Sequence, residues 1–316
     1  MTGQLKIFSG SSNKELAQRI CEYLNIPMGK SHSFRFSDGN IYVKIDESVR
    51  QDHTFIIQTG SDPVNDNFME LLFYIDALKR ASAASVTAVI PFFPYTKGDK
   101  KDEPRVSIRA KVIAETLETV GVDRVLVMDL LPPQIQGFFR VPVDNLYAMP
   151  VFCEHIRNKN LDNQVFVSTD IGGAKMARNF ARKMNAPVAI GDKDREDHGE
   201  KAFLQNIIGE VKDKNAIIVD DMIISGGSLF AMAEGLKECG TQEIYACITH
   251  GLLTGQILEK LGKSPIKELL ITDTIYIPED KKHPKVKQVS VAHLFGDAIK
   301  SIYAGNSMSL LFDDDE

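Results

Sequence analysis

Short apolar runs alternate with stretches of helical periodicity along the whole chain. Residues 5–8 predict a strand. Ser12 or Asn13 then opens a helix with Leu16, Ile20 and Leu24 on one stripe, ended by Pro27. Residues 41–45 alternate with a period of two, and 54–58 read as a buried strand. A helix from Asn65 or Asp66 through Arg80 turns Met69, Leu72, Phe73 and Ile75 inward. Residues 86–91 form a further strand. Ser107 caps a helix through Thr119 that carries Ile108, Val112 and Leu117, with Gly121 beyond its end. Residues 124–128 form a strand that ends at Asp129.

The pattern then repeats. A helix spans 149–158, a strand 165–168, and Gly172-Gly173 lead into a helix carrying Met176, Phe180 and Met184. Strands follow at 188–190, 216–219, 244–249 and 268–272, and a last helix lies near 293–303. Strands alternating with helices imply parallel sheets flanked by helices, an α/β architecture. Two similar runs imply two domains, 1–147 and 148–316, and the last helix can return to the first of them. In such sheets ligands sit beyond the carboxyl ends of the strands. Acids, lysines, arginines and glycines gather in those segments: 91–107, 129–139, 169–175, 191–201, 220–228 and 250–255.

Composition narrows the field. The chain has 316 residues, 43% hydrophobic and 25% charged, with a net charge of −6. That balance speaks against a general nucleic-acid binder or a protein held on an anionic membrane. No apolar run approaches the ~18 residues that span a bilayer, and the first residues, MTGQLKIFSG, do not read as a signal peptide. Cys21, Cys153, Cys239 and Cys247 are widely spaced in apolar surroundings, which predicts buried free thiols in a reducing cytoplasm. The seven histidines show no metal-ligand spacing.

The strongest chemical signal is AIIVDDMIISGGSLFAMAEGLKECG, residues 216–240. A buried strand ends in Asp220 and Asp221, turns through Ser225, Gly226, Gly227 and Ser228, and enters a helix. Loop amides and the positive end of a helix suit a phosphate, and glycines let backbone approach it. The spacing fits neither a P-loop nor the dinucleotide fingerprint. Two acids beside a phosphate cradle require another occupant, a ribose diol or a Mg2+ ion.

The chain resembles the phosphoribosyl pyrophosphate (PRPP) synthetase, or ribose-phosphate pyrophosphokinase, family over essentially its whole length. The resemblance rests on FRFSDGN (34–40), NDNFMELL (65–72), TAVIPFFPY (87–95), QIQGFF with VPVD (134–144), TDIGGAK (169–175), DK-x-R (192–195), VDDM with SGGS (219–228) and SMSLLF (307–312). It implies two tandem phosphoribosyltransferase-like domains. It also implies transfer of the diphosphoryl group of ATP to the 1-hydroxyl of ribose 5-phosphate, with Mg2+, in a cytoplasmic enzyme.

By resemblance, Asp220, Asp221, Ser225, Gly226, Gly227 and Ser228 take ribose 5-phosphate. Asp170, Gly172, Gly173 and Lys175 form the pyrophosphate loop. Lys193 and Arg195 are the catalytic cations. Phe36, Asp38, Asn40, Tyr95, Lys97, Asp99 and Lys100 face ATP, and Asp170 and Asp129 face the metal. Ser48, Arg50, Ser82, Ser307, Ser309 and Phe312 are candidate allosteric positions. A neighbouring subunit shares the ATP site in this family, so a homo-oligomer, dimer or hexamer, is implied.

Four departures from the family's pattern fall on functional positions. DLH reads Asp129-Leu130-Leu131, which replaces a ligand-capable histidine by leucine. SDGE ends in Asn40, an amide that still accepts through its carbonyl oxygen. Lys97-Gly98 stand where the family has Arg-Gln, so the charge stays but the planar fork is lost. Ile224 fills an acid or hydroxyl position in the ribose loop. Two other functions fit less of the chain. One is a catalytically weak or silent homologue that binds phosphorylated ligands and regulates a true synthetase. The other is a phosphoribosyltransferase that consumes PRPP, which needs only one such half and a hood.

Overall fold

The computed structural model describes residues 3–194 and 203–308. The chain divides into two compact units. One comprises Met1–Tyr147, Thr274–Tyr276 and Val291–Glu316, the other Ala148–Asp273 and Ile277–Ser290. In chain order the first holds β1 (Leu5–Ser9), α1 (Lys14–Leu24), β2 (Ser31–Arg35), β3 (Ile41–Ile45), β4 (His53–Ile57), α2 (Val64–Arg80), β5 (Ser85–Ile90), α3 (Arg109–Thr119), β6 (Arg124–Met128) and β7 (Val143–Leu146). The second holds α4 (Met149–Asn158), β8 (Gln164–Ser168), α5 (Ala174–Lys183), β9 (Val188–Asp194), β10 (Phe203–Ile208), β11 (Asn215–Ile223), α6 (Gly227–Glu238), β12 (Ile244–Gly251), α7 (Ile257–Lys263), β13 (Ile266–Thr272) and β14 (Val286–Val289). The last helix, α8 (Ala292–Ala304), belongs to the first unit.

The first unit is a parallel sheet in the order β1-β4-β5-β6-β7, with β2 and β3 as a separate antiparallel hairpin. The central strand β5 is buried from Val86 to Ile90 and apolar there except for Thr87, as a strand covered on both faces must largely be. Its core includes Phe8, Ile56, Leu71, Ile75, Val127 and Ile135. The second sheet runs β10-β9-β8-β11-β12-β13-β14. All its pairs are parallel except β9–β10, so the sheet is mainly parallel with one antiparallel edge.

Local signals account for several element ends. The Asn13 side chain accepts from the Leu16 N–H at 3.2 Å and caps α1, and Asn25, at φ 54°, turns the chain out of it. Other expectations need correction. α2 begins at Val64, and α3 begins at Arg109 with no side-chain cap from Ser107. Met69 is 40% exposed, Phe73 38% and Val112 54%. The α2 face that packs inward carries Asn67, Glu70, Leu71, Leu72, Tyr74, Ile75 and Leu78. Polar residues hold two core-facing positions, which an apolar stripe cannot reveal. The strands β2, β7, β10 and β14 and the helix α7 escaped the pattern, because each is short or mixes polar residues into its run. Cys21, Cys153 and Cys247 are buried and in no disulfide, whereas Cys239 is exposed.

α8 packs on α1. A Cβ at Gly296 would come within 2.4 Å of the Tyr23 ring, and Tyr23 OH donates to Asp297 Oδ1 at 2.9 Å. Tyr303 OH donates to the Gly3 carbonyl at 3.0 Å.

Candidate active site

In the second unit, β8 and β11 are parallel neighbours aligned as Ser168 beside Val219. One residue further on, Thr169 Oγ donates to Asp220 Oδ2 at 3.1 Å. The other carboxylate oxygen, Oδ1, accepts from the Asp221 N–H at 2.9 Å. Burial pushes the Asp220 carboxyl well above the ordinary aspartate range, and the neighbouring Asp221 carboxyl raises it further; the Asp221 N–H and the Thr169 hydroxyl pull the other way. Two carboxylates this close hold a proton between them more readily than two charges.

β11 does not stop before the acids, as the sequence pattern suggested. It continues to Ile223 because β12 pairs with it to Gly251. The Ile224 carbonyl then accepts from Thr254, through N–H at 3.2 Å and Oγ1 at 2.8 Å. Gly226, at φ 76° and ψ 5°, stands at the cap position of α6. A Cβ there would meet the Phe230 ring at 2.5 Å, so both backbone conformation and space require glycine. No side chain caps α6, which leaves its positive end to an anion.

The pyrophosphate-loop candidates form the next turn of the same rim. Asp170 is extended, and its Oδ1 accepts from the Gly173 N–H at 3.1 Å. Ser168 Oγ donates to the Asp170 carbonyl at 2.8 Å and closes the turn from below. Gly172 and Lys175 are exposed and Gly173 is half-buried at the start of α5. Lys193 lies on β9, paired with Leu204 of β10. Its side chain, and Arg195, Ser309 and Phe312, lie outside the described residues.

The nucleotide-side candidates sit in the first unit. The tip of the β2–β3 hairpin is closed by Phe36 N–H to Asn40 carbonyl, 2.8 Å, and Gly39 N–H to Phe36 carbonyl, 2.9 Å. Asn40 is spent locally: its N–H and its amide both donate to the Asp38 carboxylate, at 3.0 and 2.8 Å. Phe34, Phe36 and Tyr42 form an exposed aromatic group with ring centroids 4.9–5.9 Å apart. Tyr95, at φ 59°, donates its OH to Asn65 Oδ1. Lys97 and Lys100 are exposed, and Asp99 Oδ2 accepts from Gln134 Nε2 at 3.4 Å. Gly98 is buried against Arg109, whose Nε would stand 2.5 Å from a Cβ there. Asp129 is buried, at φ 41°, with the half-buried Leu131 two residues on. Among the allosteric candidates, Ser48, Arg50 and Ser307 are exposed, and the Ser82 carbonyl accepts from the Gln51 N–H.

Among the described residues no group of three or more His, Cys, Asp or Glu is placed to hold a metal ion. Sequence reasoning missed Thr169, whose only signal was its place between a strand end and Asp170. It also missed the partners Asn65 and Asp66 of the nucleotide-side segments, which the resemblance marked without a role.

Known proteins match the chain over nearly its whole length. A family profile described as the N-terminal domain of ribose phosphate pyrophosphokinase matches residues 5–121. A second, described as a phosphoribosyl synthetase-associated domain, matches residues 199–313. The chain is 50% identical over 312 residues to a ribose-phosphate pyrophosphokinase of Caldanaerobacter subterraneus subsp. tengcongensis, covering 98% of each chain. It is 45% identical to that of Bacillus subtilis, covering 98% of this chain and 97% of the relative. The crystal structure of phosphoribosylpyrophosphate synthetase from Mycobacterium smegmatis superposes with a TM-score of 0.90 at 34% identity, over 96% of this chain and 100% of that one. Similarity this high over the full length of both chains, on a fold that places the Asp220–Ser228 loop at the rim of a parallel sheet, means that the chain belongs to the ribose-phosphate pyrophosphokinase family.

Proposed function

We infer that this chain is a ribose-phosphate diphosphokinase, which makes PRPP and AMP from ATP and ribose 5-phosphate. The observation that carries it is the full-length identity with enzymes of that name, 50% over 312 residues. In the reaction the ribose 1-hydroxyl oxygen bonds the β-phosphorus, and the bond from that phosphorus to the bridging oxygen breaks and leaves AMP. Protein groups contribute mainly by positioning and by meeting charge as it shifts.

The roles are those the resemblance implies, and the chemistry at each position supports them. Asp220 and Asp221 accept from ribose hydroxyls, and the Ser225–Ser228 loop and the start of α6 take the 5-phosphate. Gly172, Gly173 and Lys175 receive the diphosphate, and Lys193 and Arg195 steady it in transfer. Phe36, Asp38, Asn40, Tyr95, Lys97, Asp99 and Lys100 form the ATP side. Mg2+ usually takes one or two protein carboxylates and completes its shell with water and substrate phosphates. Asp170 in the second unit and Asp129 in the first are each a single carboxylate of the kind such an ion takes, and a cage of protein ligands is not needed. The ion would neutralise the diphosphate when bound. The working form is a homo-oligomer, a dimer or hexamer, with a shared ATP site. The buried cysteines Cys21, Cys153 and Cys247, none in a disulfide, support a cytoplasmic setting.

The test is direct: purified protein with ATP, Mg2+ and ribose 5-phosphate, following AMP. AMP release that requires ribose 5-phosphate is expected. None above background at high enzyme concentration would refute the activity and leave the silent-homologue reading, to which Leu131 points.

A further inference from the structure

The NDNFMELL stretch at 65–72 carries family resemblance, yet no step of the reaction uses it. In the fold it lies in the first half of α2. Asp66, Glu70 and Tyr74 stand four residues apart on that helix, and Arg35, Ser33 and Ser31 stand two apart on β2. They meet as three rungs. Arg35 Nη2 donates to Asp66 Oδ2, Ser33 Oγ donates to Glu70 Oε1, and Ser31 Oγ pairs with Tyr74 OH at 3.2 Å. Four helical residues advance about 6 Å, and two strand residues about 6.6 Å. The two rows therefore stay in step, and a slip of the strand by one residue would turn all three β2 side chains away.

The middle rung is tied to the body of the unit. Glu70 is 3% exposed. Its Oε2 accepts from the Ser11 N–H at 3.2 Å, from Ser11 Oγ, and from Gln58 Nε2 at 2.7 Å. Gln58, 1% exposed, also accepts from the Ser12 N–H at 3.1 Å and Ser12 Oγ at 2.6 Å, and donates to the Asn67 carbonyl at 3.1 Å. Three donors from the body and one from the hairpin thus converge on one buried carboxylate, which needs them to tolerate burial. Arg35 ends β2, and Phe36, Asp38 and Asn40 follow it directly. At the start of the same helix Asn65 holds Tyr95.

We propose that the Asp66–Glu70–Tyr74 face of α2 is a polar rail that sets the hairpin's position for nucleotide binding, with Glu70 as its positioning residue. The proposal rests on the reading of the hairpin tip as part of the ATP side. Ser33→Ala removes the hairpin's rung and leaves Glu70 its three other donors. Glu70→Ala removes the rung and orphans the donors of Ser11 and Gln58. Glu70→Gln keeps the rung, because the Ser33 hydroxyl can reverse and accept from the new amide while the remaining oxygen faces Ser11 and Gln58.

The experiment measures KM for each substrate, melting temperature, and deuterium exchange over residues 31–45 of the free protein. Ser33→Ala is expected to raise KM for ATP roughly fivefold, the worth of one hydrogen bond. KM for ribose 5-phosphate and the melting temperature should stay put, and the hairpin should exchange faster. Glu70→Ala should do more, and Glu70→Gln should resemble the wild type. Unchanged exchange over 31–45 in Ser33→Ala would overturn the proposal. So would a rise of both KM values together with a lower melting temperature, since that is loss of fold. Wild-type protein that makes no AMP would defeat the proposed activity, while the exchange measurement would still decide the rail.

Discussion

Asp220→Asn is expected to move stability and activity in opposite directions. Asparagine fits the site: its oxygen can face the Asp221 N–H, and its amide can donate to Thr169, whose hydroxyl reverses. What disappears is a carboxyl whose ionised form is disfavoured by burial and by Asp221 beside it. Because its pKa is raised in the fold, the unfolded chain loses this proton at a lower pH than the folded chain does. Below the ordinary aspartate range both states hold the proton, and the group costs no stability. Above that range only the fold retains it, so stability falls as pH rises until the folded carboxyl also ionises. The variant removes that slope. Penalties for a buried polar or charged group of this kind are on the order of 1–3 kcal/mol. In a unit of this size that is roughly 2–12 °C of melting temperature. Melting curves from pH 5 to pH 8.5 should show a gain that grows with pH. In the same protein kcat/KM for ribose 5-phosphate should fall roughly 2–13-fold, the loss of one hydrogen-bonding partner for the ribose. A stability change independent of pH, or a variant less stable at pH 8.5, would refute the account of the acid pair. Full activity would remove Asp220 from the ribose site.

Two further variants test the assigned chemistry. Lys193→Ala should lower kcat by orders of magnitude with little change in KM for ribose 5-phosphate, measured by steady-state AMP release; an unchanged rate would dismiss the lysine as a solvated charge. Leu131→His restores a lone pair near Asp129 and should lower the Mg2+ concentration needed for half-maximal rate. An unaltered Mg2+ titration would mean that other ligands already hold the ion.

Much of the fold was legible because burial on both faces demands unbroken apolar runs. β5, β8, β11 and β12 stand out for that reason, and their alternation with helices implied the parallel sheets that the structure contains. Elements with one wet face or a polar row were harder. β2 reads as Ser-His-Ser-Phe-Arg and becomes a strand only through β3 and α2. Met69 and Phe73 were assigned inward by their hydrophobicity, while Glu70 on the same helix is buried instead. A carboxylate can be interior only where several donors meet it, and those donors come from distant segments.

The same division holds at the site. The amino-acid sequence by itself determined the glycine and hydroxyl chemistry of 225–228, the acid pair before it, and the motifs that mark the family, because these are local and depend on residue type at fixed spacing. Glycine at 226 permits the φ of 76° that this turn adopts, which another residue type would reach only with strain. Only the tertiary structure decided that Thr169 bonds Asp220, that β11 runs on past the acids to Ile223, and that α2 grips the hairpin by three rungs. The physical reason is that a hydrogen bond between segments tens of residues apart leaves no periodic mark in either one. It exists only when packing brings donor and acceptor within about 3 Å of each other.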